Sequence, residues 1–492
     1  MKYSAAAGFA WPKMVLPGLL IILLSISCQP KHPHNSWIPD GWGYHSPNDS
    51  AYPINNQVVV WKNPDSTEDA FQGWLISLKR ERPNVRALAV CANCDADMLL
   101  LYDPDQSPSS LPSYLQSQTV GSNGNSPNPG GPSGGNGPVL FCSNLNLNLR
   151  ELSPDPVTTS TVVDTSWLVP GTGAGLTIAV FDSGLDSIPG SEITNLGQTC
   201  LLTGDASSQN GWNFVYNNSN TRDDIQDLHG TRVTKLIIDQ IRRYRGDNIN
   251  ILPVKIFDST GKGSLYGILC AVAYAANAGA KIINASFGFY HYADADTSGA
   301  FQQENLMHAY LSHYLAKNSM LLVAAAGNDN LEEDTTFAKV TGWTSDTTLR
   351  ELDTNRFYPA YFALTDTNII SVTTVSPQTH SPSRCPLENF SPKSVDVGVN
   401  CDTIYQGYDF FDPLQVYTTR RGLYRTKTIT GSSFATPIVT GRIAAFYSHL
   451  SSKTNKQSII GQLNRIRVPA GTPPALKIGS FTQFILNGEI AP

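Results

Sequence analysis

After residue 154, the pattern of apolar and polar residues predicts strands that alternate with helices. Short apolar runs have the composition of strands buried on both faces. Between them, apolar residues recur at helical spacing, as in residues 233–241 and 435–446. This order favours a parallel sheet with helices on both faces. The predicted strands are residues 176–181, 251–257, 281–286, 320–326 and 369–374.

A smaller α/β unit is predicted before this sheet. Helical spacing occurs at Phe71, Trp74 and Leu78, between two extended segments. Residues 103–138 are rich in Ser, Gly, Pro and Asn, which predicts a flexible loop or linker. The predicted segments are extended chain at 56–61, 85–91 and 139–149, a helix at 67–81, a small domain over 54–150 and a large domain over 154–492.

Residues 1–28 have the pattern of a signal peptide. Basic residues precede the apolar run 14–24, and small residues follow it. The segment that ends at Cys28 is similar to a bacterial lipobox, in which Cys28 is acylated. The position of Cys28 at the end of the apolar run favours a lipid anchor, and the alternative is an ordinary signal peptide. We therefore expect an exported protein, membrane-anchored through residues 29–53 as a tether, or secreted after processing.

Composition and charge narrow the function classes. The 492 residues are 41% hydrophobic and 15% charged, which is typical of a globular protein. The formal net charge of -6 leaves no cationic surplus for a polyanion, so nucleic acid is not an expected partner. We expect a monomer.

The cysteines cannot all pair within the chain. Seven of the eight remain when Cys28 is set aside, so at least one thiol stays free. Cys270, inside a helical pattern, is our candidate for a buried free thiol. Cys91 and Cys94 form a CxxC pair without the partners of a zinc site, which favours a local disulfide that could also involve Cys142.

Three polar residues follow or begin elements of the large domain. Asp182 ends the strand predicted at 176–181, at the edge of a parallel sheet where α/β proteins build their sites. His229 opens the helix of residues 233–241, and Ser433 begins another helix. Alone, each has an ordinary explanation as a turn residue, a surface histidine or a helix cap.

The motifs around these residues resemble the subtilisin-like serine proteases. The chain carries Asp182-Ser183-Gly184, then His229-Gly230-Thr231, then Gly-Ser-Ser-Phe-Ala-Thr-Pro at residues 431–437. The family pattern is Asp-Ser/Thr-Gly, His-Gly-Thr and Gly-Thr-Ser-Met-Ala-x-Pro in the same order. The resemblance covers residues 154–492. It implies a subtilisin-like parallel sheet and a triad of Asp182, His229 and Ser433.

Further segments are similar to the family's substrate cleft. Gly327-Asn328 follows a predicted strand, and the resemblance implies that the Asn328 amide stabilises an oxyanion together with the Ser433 N–H. Two glycine-containing segments would pair through their backbones with an extended peptide or protein substrate. Their residues are Gly261, Gly263 and Ser264 in the first segment, and Ser286, Phe287 and Gly288 in the second.

The chain departs from the family pattern at several positions. None of the departures removes a catalytic group, but Phe287 and Phe434 are bulky beside the cleft and affect the expected shape of the specificity pocket. Calcium sites are common in the family, yet no cluster of ligands is assigned here, and no cofactor is expected to be required. The other departures are Arg232, Thr234, Lys235 and Ser432.

The resemblance implies a serine endopeptidase that acts through an acyl-enzyme. The alternative is a subtilase-fold binding module on the cell surface whose cleft does not support turnover. Residues 54–150 occupy the place of the small prodomain that commonly precedes such enzymes, and the alternative is a permanent binding module. Folding of a large parallel sheet is slow, which gives a physical reason for a folding template.

Overall fold

The computed structural model describes most of both predicted domains. The predicted signal peptide, Cys28 and nearly all of the predicted tether lie outside the described residues. The described residues are 51–88, 94–105, 110–120, 137–149, 175–185, 211–244, 246, 248–290, 297–328, 350–353, 356–376, 383–384, 388–400, 409–414, 416–419, 422–425, 428–463 and 484–487.

The small N-terminal unit is an antiparallel sheet with a helix-lined apolar face. Its helix α1 begins after Thr67, whose hydroxyl accepts a hydrogen bond from the Ala70 N–H. Phe71, Trp74 and Leu78 of that helix are buried in the core of the unit. The elements are β1 (Ala51–Lys62), α1 (Glu68–Glu81), β2 (Arg86–Ala87), β3 (Met98–Tyr102), α2 (Leu111–Val120) and β4 (Val139–Asn148).

Two predictions for this unit are corrected. β1 begins at Ala51, inside the predicted tether, because residues 51–53 pair with residues 145–147 of β4. The predicted loop 103–138 contains the helix α2, in which Leu111 and Leu115 are four residues apart and are both buried in the core of the unit. A composition rich in Ser and Pro concealed this short apolar stripe.

The large domain follows with strands and helices in alternation. The elements are β5 (Leu176–Asp182), β6 (Trp212–Asn213), α3 (His229–Arg243), β7 (Ile249–Lys255), β8 (Lys262–Ser264), α4 (Leu265–Asn277), β9 (Ile282–Ala285), β10 (Phe289–Tyr290), α5 (Thr297–Lys317), β11 (Leu321–Ala325), β12 (Phe357–Tyr358), a 3₁₀ helix (Ala360–Leu364), β13 (Ile369–Ser376), β14 (Ser383–Arg384), β15 (Val397–Asn400), β16 (Asp409–Phe411), β17 (Val416–Thr419), β18 (Gly422–Arg425), β19 (Thr428–Thr430), α6 (Ser432–Ala445), a second 3₁₀ helix (Tyr447–His449), α7 (Lys456–Leu463) and β20 (Phe484–Asn487).

The central sheet confirms the predicted fold class. Its strands run in the order β20, β15, β13, β11, β9, β5, β7 and β6, and each neighbouring pair is parallel. Side chains alternate between its faces: Ile178 and Val180 join the core with α3 and α6, whereas Ala179 and Phe181 join the core with α4 and α5. Each of the five predicted strands is present, with ends within two residues of the expected positions.

The small sheet is continuous with an edge strand of the large domain. Its strand order is β2, β3, β1, β4 and β8, so β4 pairs antiparallel with β8. The two units also pack together through rings, since Trp61 lies edge-on against Tyr310 of α5 with ring centroids 4.9 Å apart. The N-terminal unit is therefore held against the large domain by both backbone and side-chain contacts.

The predicted buried free thiol is confirmed, but the residue chosen for it and the predicted local disulfide are wrong. Cys94 forms a disulfide with Cys270 of α4, at a sequence separation of 176 residues, so Cys270 is not a free thiol. Among the described cysteines the free thiol is Cys142, which is buried in β4, and burial raises its pKa. Cys91 lies outside the described residues. Spacing along the chain could not indicate a bond that joins the two units.

None of the helices in the described part of the chain combines the length and the apolar composition that a membrane-spanning segment requires.

Candidate active site

Asp182 and His229 meet at the carboxyl edge of the central sheet. Asp182 is the last residue of β5, and His229 is the first residue of α3. The Nδ1 atom of His229 lies 2.6 Å from Oδ1 of Asp182, and both side chains are buried. Because a carboxylate only accepts hydrogen bonds, Nδ1 carries the proton, which leaves Nε2 as the basic nitrogen.

The residue before the histidine adopts an uncommon backbone conformation. Leu228 caps α3 with φ +53°, in the left-handed region that a leucine seldom occupies. Such conformations are found where the surrounding structure fixes them, often at functional sites. Here the turn ends the preceding loop and starts α3 directly at His229.

Ser433 lies at the start of a helix beside this pair. It is the second residue of α6, so it belongs to the first turn, where backbone N–H groups are directed away from the helix. The Ser286 hydroxyl donates to the Ser433 carbonyl at 2.8 Å and fixes the backbone of the serine. The ring of Phe434, the next residue, lies 5.3 Å from the imidazole of His229 between centroids. The structure thus brings all three predicted triad positions to one edge of the sheet.

The Asn328 amide is oriented by Ser432. The N–H and the hydroxyl of Ser432 both donate to Oδ1 of Asn328, at 2.7 and 2.8 Å. A backbone N–H can only donate, so the contacted atom is the amide oxygen and Nδ2 points elsewhere. Gly431 allows this approach, because a Cβ added there would lie 2.9 Å from Nδ2 of Asn328. The sequence identified Ser432 only as a departure from threonine; its position before Ser433 was the available signal.

The first predicted cleft segment is already paired with the chain's own N-terminal unit. Gly263 lies opposite Leu147, and Ser264 lies opposite Asn146, in the antiparallel pair of β8 and β4. The Leu149 N–H donates to the Gly261 carbonyl at 2.6 Å and extends the ladder. Backbone groups predicted to bind a peptide therefore bind β4. The hydroxyl of Ser264 caps α4 by accepting from the Gly267 N–H at 3.1 Å.

The second predicted cleft segment, residues 286–288, supports the backbone of Ser433. Besides donating to Ser433, the Ser286 hydroxyl accepts from Nδ2 of Asn284 at 2.9 Å. The Phe287 side chain turns into the core, where it packs edge-on against Phe257 with centroids 5.3 Å apart. Gly288, the next residue, is half-buried. Neither Phe287 nor the fully buried Phe434 has its ring exposed beside the cleft.

Arg232, which departs from the family pattern, has a buried partner. Its guanidinium Nη2 donates to Oδ2 of Asp412 at 2.8 Å, and its Nε contacts both carboxylate oxygens. Both side chains are at most 1% exposed, so each charge depends on the other for compensation. The pair ties the histidine helix to the segment after β16. No local pattern links residues 180 positions apart.

Asp223 is a second buried carboxylate that the sequence interpretation missed. The Ser183 hydroxyl lies 2.8 Å from Oδ1 of Asp223 and 3.2 Å from Oδ1 of Asp182, and it accepts from the Gly230 N–H at 2.9 Å. The N–H and the hydroxyl of Thr231 both donate to Oδ2 of Asp223. The single hydroxyl proton of Ser183 is thus shared between the carboxylates of Asp182 and Asp223. The available signal was the Asp223-Asp224 pair shortly before His229.

Burial and the nearby Asp182 charge raise the pKa of Asp223 to about 7. An unfolded aspartate titrates near pH ~3.9, so between these pH values the folded protein holds a proton that the unfolded chain has lost. The stability contributed by that proton is present below about pH 4 and is lost as the pH rises to about 7. Asp223 therefore destabilises the fold progressively across this window.

We expect Asp223→Asn to remove this pH dependence, because asparagine does not titrate and can keep the Thr231 and Ser183 contacts. Thermal unfolding of both proteins, in a Ser433→Ala background that prevents self-digestion, measures the effect. The melting temperature of the variant minus that of the parent should be higher at pH 8 than at pH 5, by at least about 2 °C. A difference that stays constant with pH would contradict the assignment.

Within the described ranges, no group of three or more His, Cys, Asp or Glu side chains is arranged to hold a metal ion. A structural calcium site, which is common in the family that the sequence resembles, therefore stays without assigned ligands.

Comparisons with known proteins identify the family of the chain. Residues 173–470 match the model of the subtilase family. The chain is 38% identical over 116 residues to the cell wall-associated protease of Bacillus subtilis (strain 168). The aligned segment covers 23% of this chain and 12% of that protein. The chain is 30% identical over 187 residues to the thermophilic serine proteinase of Bacillus sp. (strain AK1). That alignment covers 36% of this chain and 39% of the relative.

The chain therefore spans well under two thirds of the length of these two relatives. Among solved structures, the epidermin leader peptide processing serine protease from Staphylococcus aureus aligns with a TM-score of 0.47 at 14% identity. That alignment covers 88% of this chain and 96% of the other.

Proposed function

Because the chain belongs to the subtilase family, we propose that it is a serine endopeptidase that hydrolyses peptide bonds of proteins through an acyl-enzyme. The observation that carries the proposal is the buried 2.6 Å hydrogen bond between His229 Nδ1 and Asp182, next to the helix start that bears Ser433. A histidine held in one tautomer by a buried carboxylate is prepared to act as a base.

In the first half-reaction, Ser433 Oγ attacks the carbonyl carbon of the scissile peptide. His229 accepts the hydroxyl proton at Nε2 and delivers it to the leaving amine, so that an ester to Ser433 remains. In the second half-reaction, His229 takes a proton from water as the water oxygen attacks the ester carbon, and it returns that proton to Ser433 Oγ as the ester bond breaks. Asp182 stays ionised and stabilises the imidazolium in both steps.

Negative charge develops on the carbonyl oxygen during each attack. We assign its stabilisation to Nδ2 of Asn328 and the N–H of Ser433. The two hydrogen bonds that Ser432 donates to the amide oxygen of Asn328 support this assignment, because they hold the amide before substrate arrives. In a water-excluded site, a hydrogen-bond donor that is already in position stabilises the developing charge more than a donor that must first reorient.

The N-terminal unit is assigned the role of an intramolecular inhibitor and folding template. The support is the pairing of β4 with β8, which occupies backbone groups that an extended substrate would use. Activation would then require cleavage of the chain between the two units and removal of β4 from β8. The competing role is a permanent binding module that never leaves the large domain.

Export is part of the proposal. The predicted signal peptide supports it, and so does the cell wall-associated relative. Acylation of Cys28 would anchor the N-terminal unit to a membrane on the periplasmic or cell-surface side, and an ordinary signal peptide would release a secreted protein.

A fluorophosphonate probe tests the function directly, because it esterifies only an activated serine. We expect one adduct, mapped by peptide mass spectrometry to Ser433, in the native protein and in any processed form isolated with it. Heat-denatured protein is the matched control and should stay unlabelled. Native protein that resists the probe would favour the alternative of a subtilase-fold binding module without turnover.

A further inference from the structure

A substrate's acyl-side residue, whose carbonyl is attacked, has a defined place in this site. The β9 and β11 strands are parallel neighbours in the sheet, so the segments that follow them leave the same edge of the sheet side by side. Asn328 ends the segment after β11, and Ser286, which fixes the Ser433 backbone, begins the segment after β9. With its carbonyl oxygen at Asn328, the residue must direct its side chain between the two segments.

The ring of Phe357 fills the space between these segments. A Cβ added to Gly288 would lie 2.2 Å from Cε1 of Phe357, and a Cβ added to Gly327 would lie 2.9 Å from the same atom and from Cζ. Carbon atoms in contact are normally ~3.5–4.0 Å apart. The edge of one ring therefore lies directly against the backbone of two glycines that belong to opposite sides of the cleft.

The ring is held in this place by its surroundings. Phe357 of β12 pairs with Tyr290 of β10, and the two rings pack edge-on with centroids 4.9 Å apart. The Tyr290 hydroxyl donates to Oδ1 of Asn389 at 2.8 Å and accepts from Nη1 of Arg350 at the same distance.

The same network reaches the segment that ends at Asn328. Asn389 donates from Nδ2 to the Ala326 carbonyl at 2.7 Å and from its backbone N–H to the Gly327 carbonyl at 3.0 Å. Tyr290 and Asn389 thereby connect the ring of Phe357 to the oxyanion segment. Moving the ring out of the cleft would disturb these contacts, so a large substrate side chain cannot displace it without cost.

From this geometry we infer that Phe357 determines specificity by limiting the acyl-side residue of the substrate to glycine, alanine or a residue of similar size. The inference rests on the proposed endopeptidase function and names its substrate class: extended protein segments with a small residue before the scissile bond. Pockets distinguish side chains by ~10- to 200-fold per methylene, so exclusion of a whole leucine or phenylalanine side chain has a large effect.

A series of internally quenched peptides that differ only in the acyl-side residue tests the inference on the processed protein, treated with dithiothreitol and mild denaturant so that the N-terminal unit leaves the cleft. For the wild type we expect kcat/KM with alanine to exceed that with leucine or phenylalanine by on the order of 100-fold. In Phe357→Ala, the ratio of phenylalanine to alanine hydrolysis should rise by at least about tenfold. Phe357→Leu, which keeps a buried apolar side chain, should give a smaller rise if Phe357→Ala folds poorly.

Phe362→Ala is the matched control. Phe362 is a similarly buried phenylalanine of the neighbouring 3₁₀ helix, and its ring packs on Tyr358. Its truncation should lower the melting temperature while the ratio of phenylalanine to alanine hydrolysis stays at the wild-type value.

Two results would overturn the inference while leaving the endopeptidase intact: a wild type that accepts phenylalanine as well as alanine, or Phe357 variants with an unchanged ratio. Failure of both hydrolysis and fluorophosphonate labelling would overturn the proposed function instead, and the inference with it.

Discussion

Replacing Ser433 by alanine is expected to lower kcat by on the order of 10⁶-fold, as is typical when the nucleophile of a triad is removed. The fold should persist, because the hydrogen bond from Ser286 ends on the Ser433 backbone carbonyl and not on its hydroxyl. Initial rates on casein, together with the melting temperature of each protein, measure the two effects. A folded Ser433→Ala variant with robust caseinolysis would remove Ser433 from the catalytic machinery.

Two buried carboxylates provide a matched comparison for the same experiment. Asp182→Asn should lower kcat by on the order of 10⁴-fold, because asparagine cannot stabilise the imidazolium of His229 as a carboxylate does. Asp223→Asn should cause a far smaller loss, since the hydrogen bonds of Asp223 go to Ser183 and Thr231 and not to His229. Equal losses would mean that general damage to this buried cluster, and not the orientation of His229, accounts for the Asp182→Asn effect.

The central sheet was predictable because its strands are buried on both faces and form continuous apolar runs. Residues 178–181 illustrate this: Ile178 and Val180 face one core while Ala179 and Phe181 face the other, so no polar position interrupts these four residues. The helix α2 was missed because Leu111 and Leu115 stand alone among polar residues. Two buried leucines suffice when the rest of the unit supplies the remaining core.

The proposed catalytic positions were predictable because each lies in a short motif whose role depends on local structure. Asp182 ends a strand, and His229 and Ser433 stand in the first turns of α3 and α6, so chain topology alone brings them to one edge. The side chains that support them come from elsewhere. Asp412 reaches Arg232 across 180 residues, and only the folded chain reveals that contact.

The shape of the cleft was not predictable for the same reason. The sequence directed attention to Phe287 and Phe434, which are adjacent to motif residues, but their rings are buried in the two cores. Phe357 is buried as well, but its ring contacts Gly288 and Gly327, and it stands outside every motif. The sequence shows that Gly288 and Gly327 are glycines, but it does not show that the ring of Phe357 excludes a larger residue at these positions.

The disulfide changes what cleavage between the two units would produce. Cys94 of the N-terminal unit is bonded to Cys270 of α4, and β4 remains paired with β8. A cut in the connecting segment, near residue 154, would leave both fragments in one covalent assembly. Disulfides persist in the oxidising compartments to which an exported protein is delivered. We therefore expect processing without release, and release only after a thiol reductant exchanges with the bond.

Electrophoresis of the wild type and of Ser433→Ala, with and without dithiothreitol, tests this expectation. The processed wild type should run as one species without the reductant and as two fragments with it, whereas Ser433→Ala should stay uncut. Cys94→Ser should yield separate fragments under denaturing conditions without reductant, and Cys142→Ser, which alters the buried free thiol, should behave like the wild type.

N-terminal sequencing then locates the cut, and membrane fractionation tests the anchor. If Cys28 is acylated, the catalytic fragment should remain with membranes after the cut. Its release into the soluble fraction should require dithiothreitol together with mild denaturant, since the pairing of β4 with β8 persists after reduction.

Fragments of the wild type that separate without reductant would overturn the covalent tether. A wild type that stays one uncut and fully active chain would eliminate the propeptide role and leave the permanent binding module, because an inhibitor that is never removed could not cover an active cleft.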